Sequence, residues 1–295
     1  MICKHCDKKA IISEPSLCSD HFDKFMLETV KETIDKFNLF SKDSNILVAV
    51  SGGKDSLALI DILLRLGYSV TGLFIDEGIK NYREHSIEDL DFFSSQKNFK
   101  VLKHSFKTEF GFTLDSAILT KQLHACTICG TLRRHSLNKF SQGFDVIATG
   151  HNLDDESQTI LMNIARGNTD LFLRLGPISK ESDVFTQRVK PFFYLTEKQI
   201  LVYTLVRNIR VHYGECPYAY SSYRAFLRDE LNKEEESSFG TKRNIVDSYL
   251  ALKESISTNS SSAQLVVEKC SICQQPSKNL VCKACKIQQQ IKEKL

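Results

Sequence analysis

The chain has 295 residues, 42% of them hydrophobic and 25% charged, the balance of a soluble protein with one large core and small appendages. No apolar run approaches the roughly 20 residues of a membrane span, and Cys3 and Cys6 stand where a signal peptide would carry a basic region and an apolar stretch. The net charge of +3 permits an anionic partner without demanding one, and ten cysteines, mostly in Cys-x2-Cys pairs, point to metal binding in a reducing cytoplasm rather than to disulfides.

The chain opens with Cys3-x2-Cys6-x11-Cys18-x2-His21. Ligand pairs on either side of a short spacer suit tetrahedral zinc, and a segment too short for its own core would draw its folding energy from the metal. The amphipathic stretch 22–40 is expected to pack between this knuckle and the body. Residues 45–50 are apolar and β-branched, the pattern of a buried parallel strand. They lead straight into Ser51-Gly52-Gly53-Lys54-Asp55-Ser56, then the helical pattern Leu57, Ile60, Leu63, Leu64. Strand, glycine loop and helix make a phosphate cradle. The glycines let backbone N–H groups reach an anion, and the helix N-terminus adds about half a positive charge. Lys54 adds a full charge, and Ser51 and Ser56 add hydroxyls. The spacing is not that of the Walker A loop.

Further strands are predicted at 70–75, 100–104 and 146–149 with helical stretches between them, so the fold class is α/β with a parallel sheet. Ligands of such sheets sit at the carboxyl ends of the strands, which puts Ser51, Ile75, Asp76, Gly150 and His151 on one rim. Cys126-x2-Cys129, followed by Gly130 and the basic Arg133, Arg134 and His135, has a distant companion in Cys216, which follows a strand-like stretch at 210–213. Four thiolates would close a [4Fe–4S] cluster, whereas three leave one iron open to water, substrate or sulfide. The same residues also read as a redox dithiol beside an unrelated buried Cys216, or as a site of persulfide chemistry. Leu153-Asp154-Asp155-Glu156 opens another helix; Asp154 reads equally as a capping group, and Asp155, one residue deeper, as facing the rim. Thr196-x2-Gln199 is a structural capping box for a helix over 197–206.

Residues 233–236 read as a solvated helix end, and the Ser-rich 255–262 as a linker. Cys270-x2-Cys273-x8-Cys282-x2-Cys285 forms a second four-ligand set, and 287–295 a charged tail without an assigned role. The expected organisation is an N-terminal zinc finger at 1–24, a catalytic domain at 25–254, and a linker with a C-terminal zinc finger at 255–295.

These motifs follow one order: SGGKDS, Asp76-Glu77-Gly78-Ile79, Cys-x2-Cys-Gly, the GHNLDDE of 150–156 and Glu215-Cys216-Pro217-Tyr218, between terminal knuckles. In that arrangement nearly the whole chain resembles the TtuA/Ncs6 family of tRNA 2-thiouridine synthetases, pyrophosphatase-loop enzymes that split ATP between its α- and β-phosphates. Leu57, Ala58 and Phe239-Gly240-Thr241-Lys242 incline it to the TtuA branch. The resemblance implies that the uracil C2 oxygen attacks the α-phosphate, and that sulfur carried on the open iron of a [4Fe–4S] cluster then displaces AMP. It implies cluster ligation by Cys126, Cys129 and Cys216, two zinc ions in the terminal sets, and catalytic roles for Lys54, Asp155 and the three cysteines. It assigns ATP, with Mg2+, to Ala49, Ser51, Gly52, Gly53, Lys54, Asp55, Ser56, Ile75, Arg133, Gly150 and Asp155. The implied partners are tRNA and a sulfur donor, either sulfide or a ubiquitin-like thiocarboxylate carrier, in a cytoplasmic homodimer. Position 54 is favoured over position 34. Rival readings are tRNA cytidine 2-thiolation, a sulfur-free ligase or amidotransferase, and a zinc-ribbon RNA-binding adaptor.

Overall fold

The apolar run after residue 45 is the middle strand of a five-stranded sheet in the computed structural model, which describes residues 1–179, 184–219, 223–257 and 268–295. The strands are β1 (Ile46–Val50), β2 (Val70–Asp76), β3 (Lys100–Ser105), β4 (Val146–Thr149) and β5 (Gln187–Val189). Their order is β3-β2-β1-β4-β5, and every pairing is parallel. The chain steps outward from β1 to β3 and then returns past β1 to β4, so the order reverses between β1 and β4, where α/β sheets open a ligand crevice. Register aligns Val50 with Phe74 and Ala49 with Thr149. The next residues, Ser51, Ile75 and Gly150, therefore share one rim, as the sequence led us to expect.

β1 is covered on both faces, which is why it reads as continuous apolar sequence. On one face Ile46, Val48 and Val50 join a core with the helix Lys54–Arg65 and with Phe22, Met26, Val30 and Ile34 of the helix Ser19–Phe37. That helix starts at Cys18 and carries the N-terminal knuckle onto the body. On the other face Leu47 and Ile147 pack with Ile128 and Leu132 of the helix Ala125–Phe140 and with the C-terminal knuckle. No helix among the described residues is long and apolar enough to cross a membrane.

Several expectations need correction. Residues 210–213 are not a strand: Asp89 takes the His212 N–H at 2.5 Å and pairs with Arg210 at 3.0 Å, so a carboxylate replaces a neighbouring strand. β5 escaped notice because Val189 is its sole apolar residue. Residues 233–236 are the solvated end of the helix Tyr223–Ser237, as expected, with only Glu235 drawn in to accept from Gly240 N–H at 2.9 Å and Lys242 N–H at 2.8 Å. Of the expected linker, residues 255–257 complete the helix Thr241–Ser257, and 258–262 lie outside the described residues. The expected tail belongs largely to the helix Lys283–Lys292, whose Ile287 and Ile291 are buried in the second core. Gln288 Nε2 donates to the Phe110 carbonyl at 3.1 Å.

Ile291→Ala should therefore destabilise the protein by about 2–5 kcal/mol in denaturant unfolding. A free tail would show no change.

Candidate active site

The phosphate loop is shaped by close backbone approach. Gly52 has φ +77°, and a Cβ there would lie 2.4 Å from the Ser86 carbonyl oxygen. A Cβ on Gly150 would meet the Asp55 backbone at 3.0 Å, so β4 and the loop helix come together only through glycine. Ser51 Oγ accepts from Gly53 N–H at 3.2 Å, and Ser56 Oγ accepts from Ser51 N–H at 3.2 Å. Asn152 caps the helix Leu153–Ala165 and donates through Nδ2 to Asp55 Oδ1 at 3.2 Å. It is Asn152, not Asp154, that caps this helix; Asp155 completes the capping box. Asp154 is buried, ion-paired with Lys242, and accepts from Glu197 N–H at 2.8 Å.

Lys54 Nζ stands 3.0 Å from Asp55 Oδ2 and 2.7 Å from Glu197 Oε1. Burial alone would lower its pKa, but the two carboxylates outweigh this and hold it above its ordinary value. Burial pushes the Asp55 carboxyl up despite Lys54. Burial likewise pushes Asp155 up, against the pull of Arg224, whose guanidinium lies 3.2 Å from Asp155 Oδ1. His151 Nδ1 sits 2.9 Å from Thr149 Oγ1. Desolvation and then the cations Lys190, Arg224, Arg133 and Arg188 depress its pKa to about 3, so its imidazole is neutral at pH 7.

Cys126 and Cys129 lie in the first turns of the helix Ala125–Phe140. Cys126 Sγ is 3.8 Å from the Tyr218 carbonyl, and Tyr218 Oη donates to Asp115 at 2.7 Å, which pins the Cys216 segment against the helix start. The three Sγ atoms do not all lie within 4.8 Å of one another. They are too spread for one ion, as ligands to three different irons of a cluster must be. Burial raises the pKa of the Cys129 and Cys216 thiols, with Arg133 opposing in both. Arg133 donates to Cys129 Sγ at 3.1 Å and pairs with Glu77 at 3.2 Å. The other Glu77 oxygen pairs with Arg83 at 2.6 Å, and Arg83 donates to the Ser51 and Ile75 carbonyls, each at 2.9 Å. A cavity of about 50 Å3 between these groups is lined by Ala49, Val50, Ser51, Ile75, Arg83 and Arg133.

The terminal sets have single-ion geometry. A tetrahedron with Zn–S near 2.3 Å has ligand–ligand edges of about 3.8 Å. Cys6–Cys18 is 3.7 Å, Cys270–Cys285 3.9 Å and Cys273–Cys282 3.7 Å. His21 presents Nδ1 at 3.3 Å to 3.5 Å from Cys3, Cys6 and Cys18.

A family model described as a PP-loop domain matches residues 26–235. The chain belongs to the PP-loop family. It is 35% identical over 97% of its length, and 93% of the relative's, to a tRNA-5-methyluridine(54) 2-sulfurtransferase of Pyrococcus horikoshii. It is 34% identical over 97% of its length, and 91% of the relative's, to the Thermus thermophilus protein of the same name. Among solved structures, the U34-tRNA thiolase NcsA from Methanococcus maripaludis with its [4Fe–4S] cluster superposes at a TM-score of 0.83 with 27% identity, covering 98% of this chain and 96% of that one. Within the PP-loop family the chain thus falls among the tRNA 2-thiolation proteins.

The fold brings Ser51 to Ser56, Ile75, Gly150, Asp155, Arg133 and the cysteines to one rim of this PP-loop domain. Sequence reasoning missed Glu77, Arg83, Glu197 and Arg224. Arg83 had left a signal, being a cation in the first turn of the helix Arg83–Lys97, where the dipole disfavours it.

Glu197 holds the Lys54 ammonium at the phosphate loop, where it competes with any anion for that cation. Glu197→Gln should tighten pyrophosphate binding by about tenfold, a modest gain because the side chain is partly exposed. Calorimetry showing unchanged or weaker binding would assign Glu197 to positioning Lys54 instead.

Proposed function

We propose that this PP-loop protein, a tRNA sulfurtransferase by family, exchanges the C2 oxygen of a tRNA uridine for sulfur at the expense of ATP. The observation that carries this reading is the bridge Cys129–Arg133–Glu77–Arg83–Ser51, which ties the helix of Cys126 and Cys129 to the phosphate loop. In the first step the uracil O2 attacks the α-phosphate, the bond to the β-phosphate breaks, and pyrophosphate leaves. Lys54 and the loop N–H groups offset the charge on the leaving group, and Arg133 is placed to take the α-phosphate. A sulfur nucleophile then adds at C2, and the former carbonyl oxygen departs with AMP. Asp155, with its raised pKa and its Arg224 partner, serves this exchange as a proton-transfer group.

Cys126, Cys129 and Cys216 would hold a [4Fe–4S] cluster, which when bound supplies an open iron able to keep sulfur deprotonated and nucleophilic. The terminal sets would hold two zinc ions, closed by four protein ligands each and hence structural. The organisation that fits these roles is the catalytic domain at 25–254 between two zinc modules. A cytosolic protein that draws sulfur from sulfide or a thiocarboxylate carrier, and that pairs as a homodimer, suits the same reading. Position 54 is the favoured target, because the relatives at 35% and 34% identity carry that position in their names.

Anaerobically reconstituted protein should contain about four Fe and four sulfide per chain beside two Zn, and should release one AMP and one pyrophosphate per thiolated nucleoside. Cys216→Ala should abolish both thiolation and bound iron. Retained thiolation would remove Cys216 from the chemistry. Nucleoside mass spectrometry with position mapping decides between positions 54 and 34 and detects any thiolated cytidine.

A further inference from the structure

Eight of the chain's twelve arginines stand within 4.0 Å of a carboxylate. Lys190, on the same rim, is matched by Glu156 at 2.7 Å. Arg134 and Arg188 have no such partner among the described residues, although both reach the helix that carries Cys126 and Cys129. Arg134 is exposed on the helix that starts with the cysteines, five residues past Cys129, or about 7.5 Å along the axis. Its guanidinium folds back over that turn, in room left by Gly130, where a Cβ would lie 3.3 Å from Nη1. Arg188 comes from edge strand β5 and donates to Asn138 Oδ1 at 2.5 Å; Asn138 is one helical turn beyond Arg134. Burial first, and then the charge of Arg134, lowers the pKa of Arg188. Two guanidiniums within electrostatic reach of each other repel, an anion between them relieves that repulsion, and their planar forks match phosphate oxygens.

We propose that Arg134 and Arg188 form a subsite for one backbone phosphate of the tRNA, next to the nucleotide presented to the cysteines. The proposal rests on the tRNA sulfurtransferase reading. ATP is the poorer occupant. β5 lies two strand spacings, roughly 10 Å, from the strand that carries the phosphate loop, and that loop has its own cation in Lys54. Arg134, by contrast, is exposed on the helix that carries Cys126 and Cys129, where the backbone of an RNA presenting a nucleotide to those thiols could reach it.

The test uses the full-length protein with its metal sites loaded and an unmodified tRNA transcript, with Kd measured over a salt series. Arg134→Gln and Arg188→Gln should each weaken tRNA binding by about 3- to 10-fold, and each should lower the slope of log K against log salt by about 0.7–0.9, the worth of one phosphate. The double variant should lose no more slope than either single one, because both arginines share that phosphate. Arg134→Lys should keep the slope, which a merely structural role would not require. The Kd for ATP should not move. Unchanged tRNA affinity and slope, or a loss confined to ATP, would overturn the proposal. Wild-type protein that fails to bind tRNA at all would instead defeat the underlying functional reading.

Discussion

The site hangs on one buried carboxylate. Glu77 is 2% exposed and carries an arginine on each oxygen, Arg83 at 2.6 Å and Arg133 at 3.2 Å. Taking an ion out of water costs several kcal/mol even after relaxation, so Glu77 is tolerable there only with both partners in place. Each arginine is then directed by what it has left to donate. Arg83 reaches the carbonyls of Ser51 and Ile75, and Arg133 reaches Cys129. The phosphate loop and the cysteine helix, on different elements 78 residues apart (129 − 51), are thereby fixed to one point. The backbone beneath is held as firmly: Gly78 has φ +71°, and a Cβ there would meet Thr113 at 2.6 Å.

Around that point the rim is built from matched charges. Lys54 is held by Asp55 and Glu197, Asp155 by Arg224, Glu156 by Lys190, and Asp154 by Lys242. Such pairing offsets part of the cost of burying each group, and it leaves matched charges at the rim rather than an open positive field. Arg224 and Lys242 come from the helices Tyr223–Ser237 and Thr241–Ser257, whose sequence is mostly polar. Their attachment to the body is electrostatic as much as apolar, which ties the late part of the chain to the acids that open the helix after β4.

What could be read from sequence follows the range of the interaction. β1 was legible because burial of both faces leaves an unbroken apolar run, and the four-ligand sets because ligand pairs lie within four residues. The Glu197–Lys54 pair spans 143 residues and leaves no local trace; Thr196 and Gln199 beside it gave a correct capping box and concealed a second role. Asp155 was placed on the rim correctly, yet its partner Arg224 was not found, since a cation on a polar helix looks like any solvated one. Ile287 and Ile291 did show helical spacing, but lysines and glutamines around them gave that segment the look of a tail. Residues 210–213 misled in the opposite sense, because β-like composition says nothing about whether a strand or a carboxylate will receive the backbone N–H.

The two terminal four-ligand sets act on opposite faces of the sheet. Cys3 and Cys18 lie in the core that contains Leu57 to Leu63 of the phosphate-loop helix, whereas Cys270, Cys282 and Cys285 lie in the core that contains Ile128, Cys129 and Leu132. A short ribbon cannot hold such a position through its own apolar area, so whatever fixes its ligands also fixes the surface it offers to the body. The N-terminal set therefore steadies the helix that presents Lys54, and the C-terminal set steadies the helix that presents Cys126 and Cys129. Glu77 joins those two halves across the strand ends, so the distance between the phosphate loop and Cys129 is set from three directions: one clamp from below each helix and one between them.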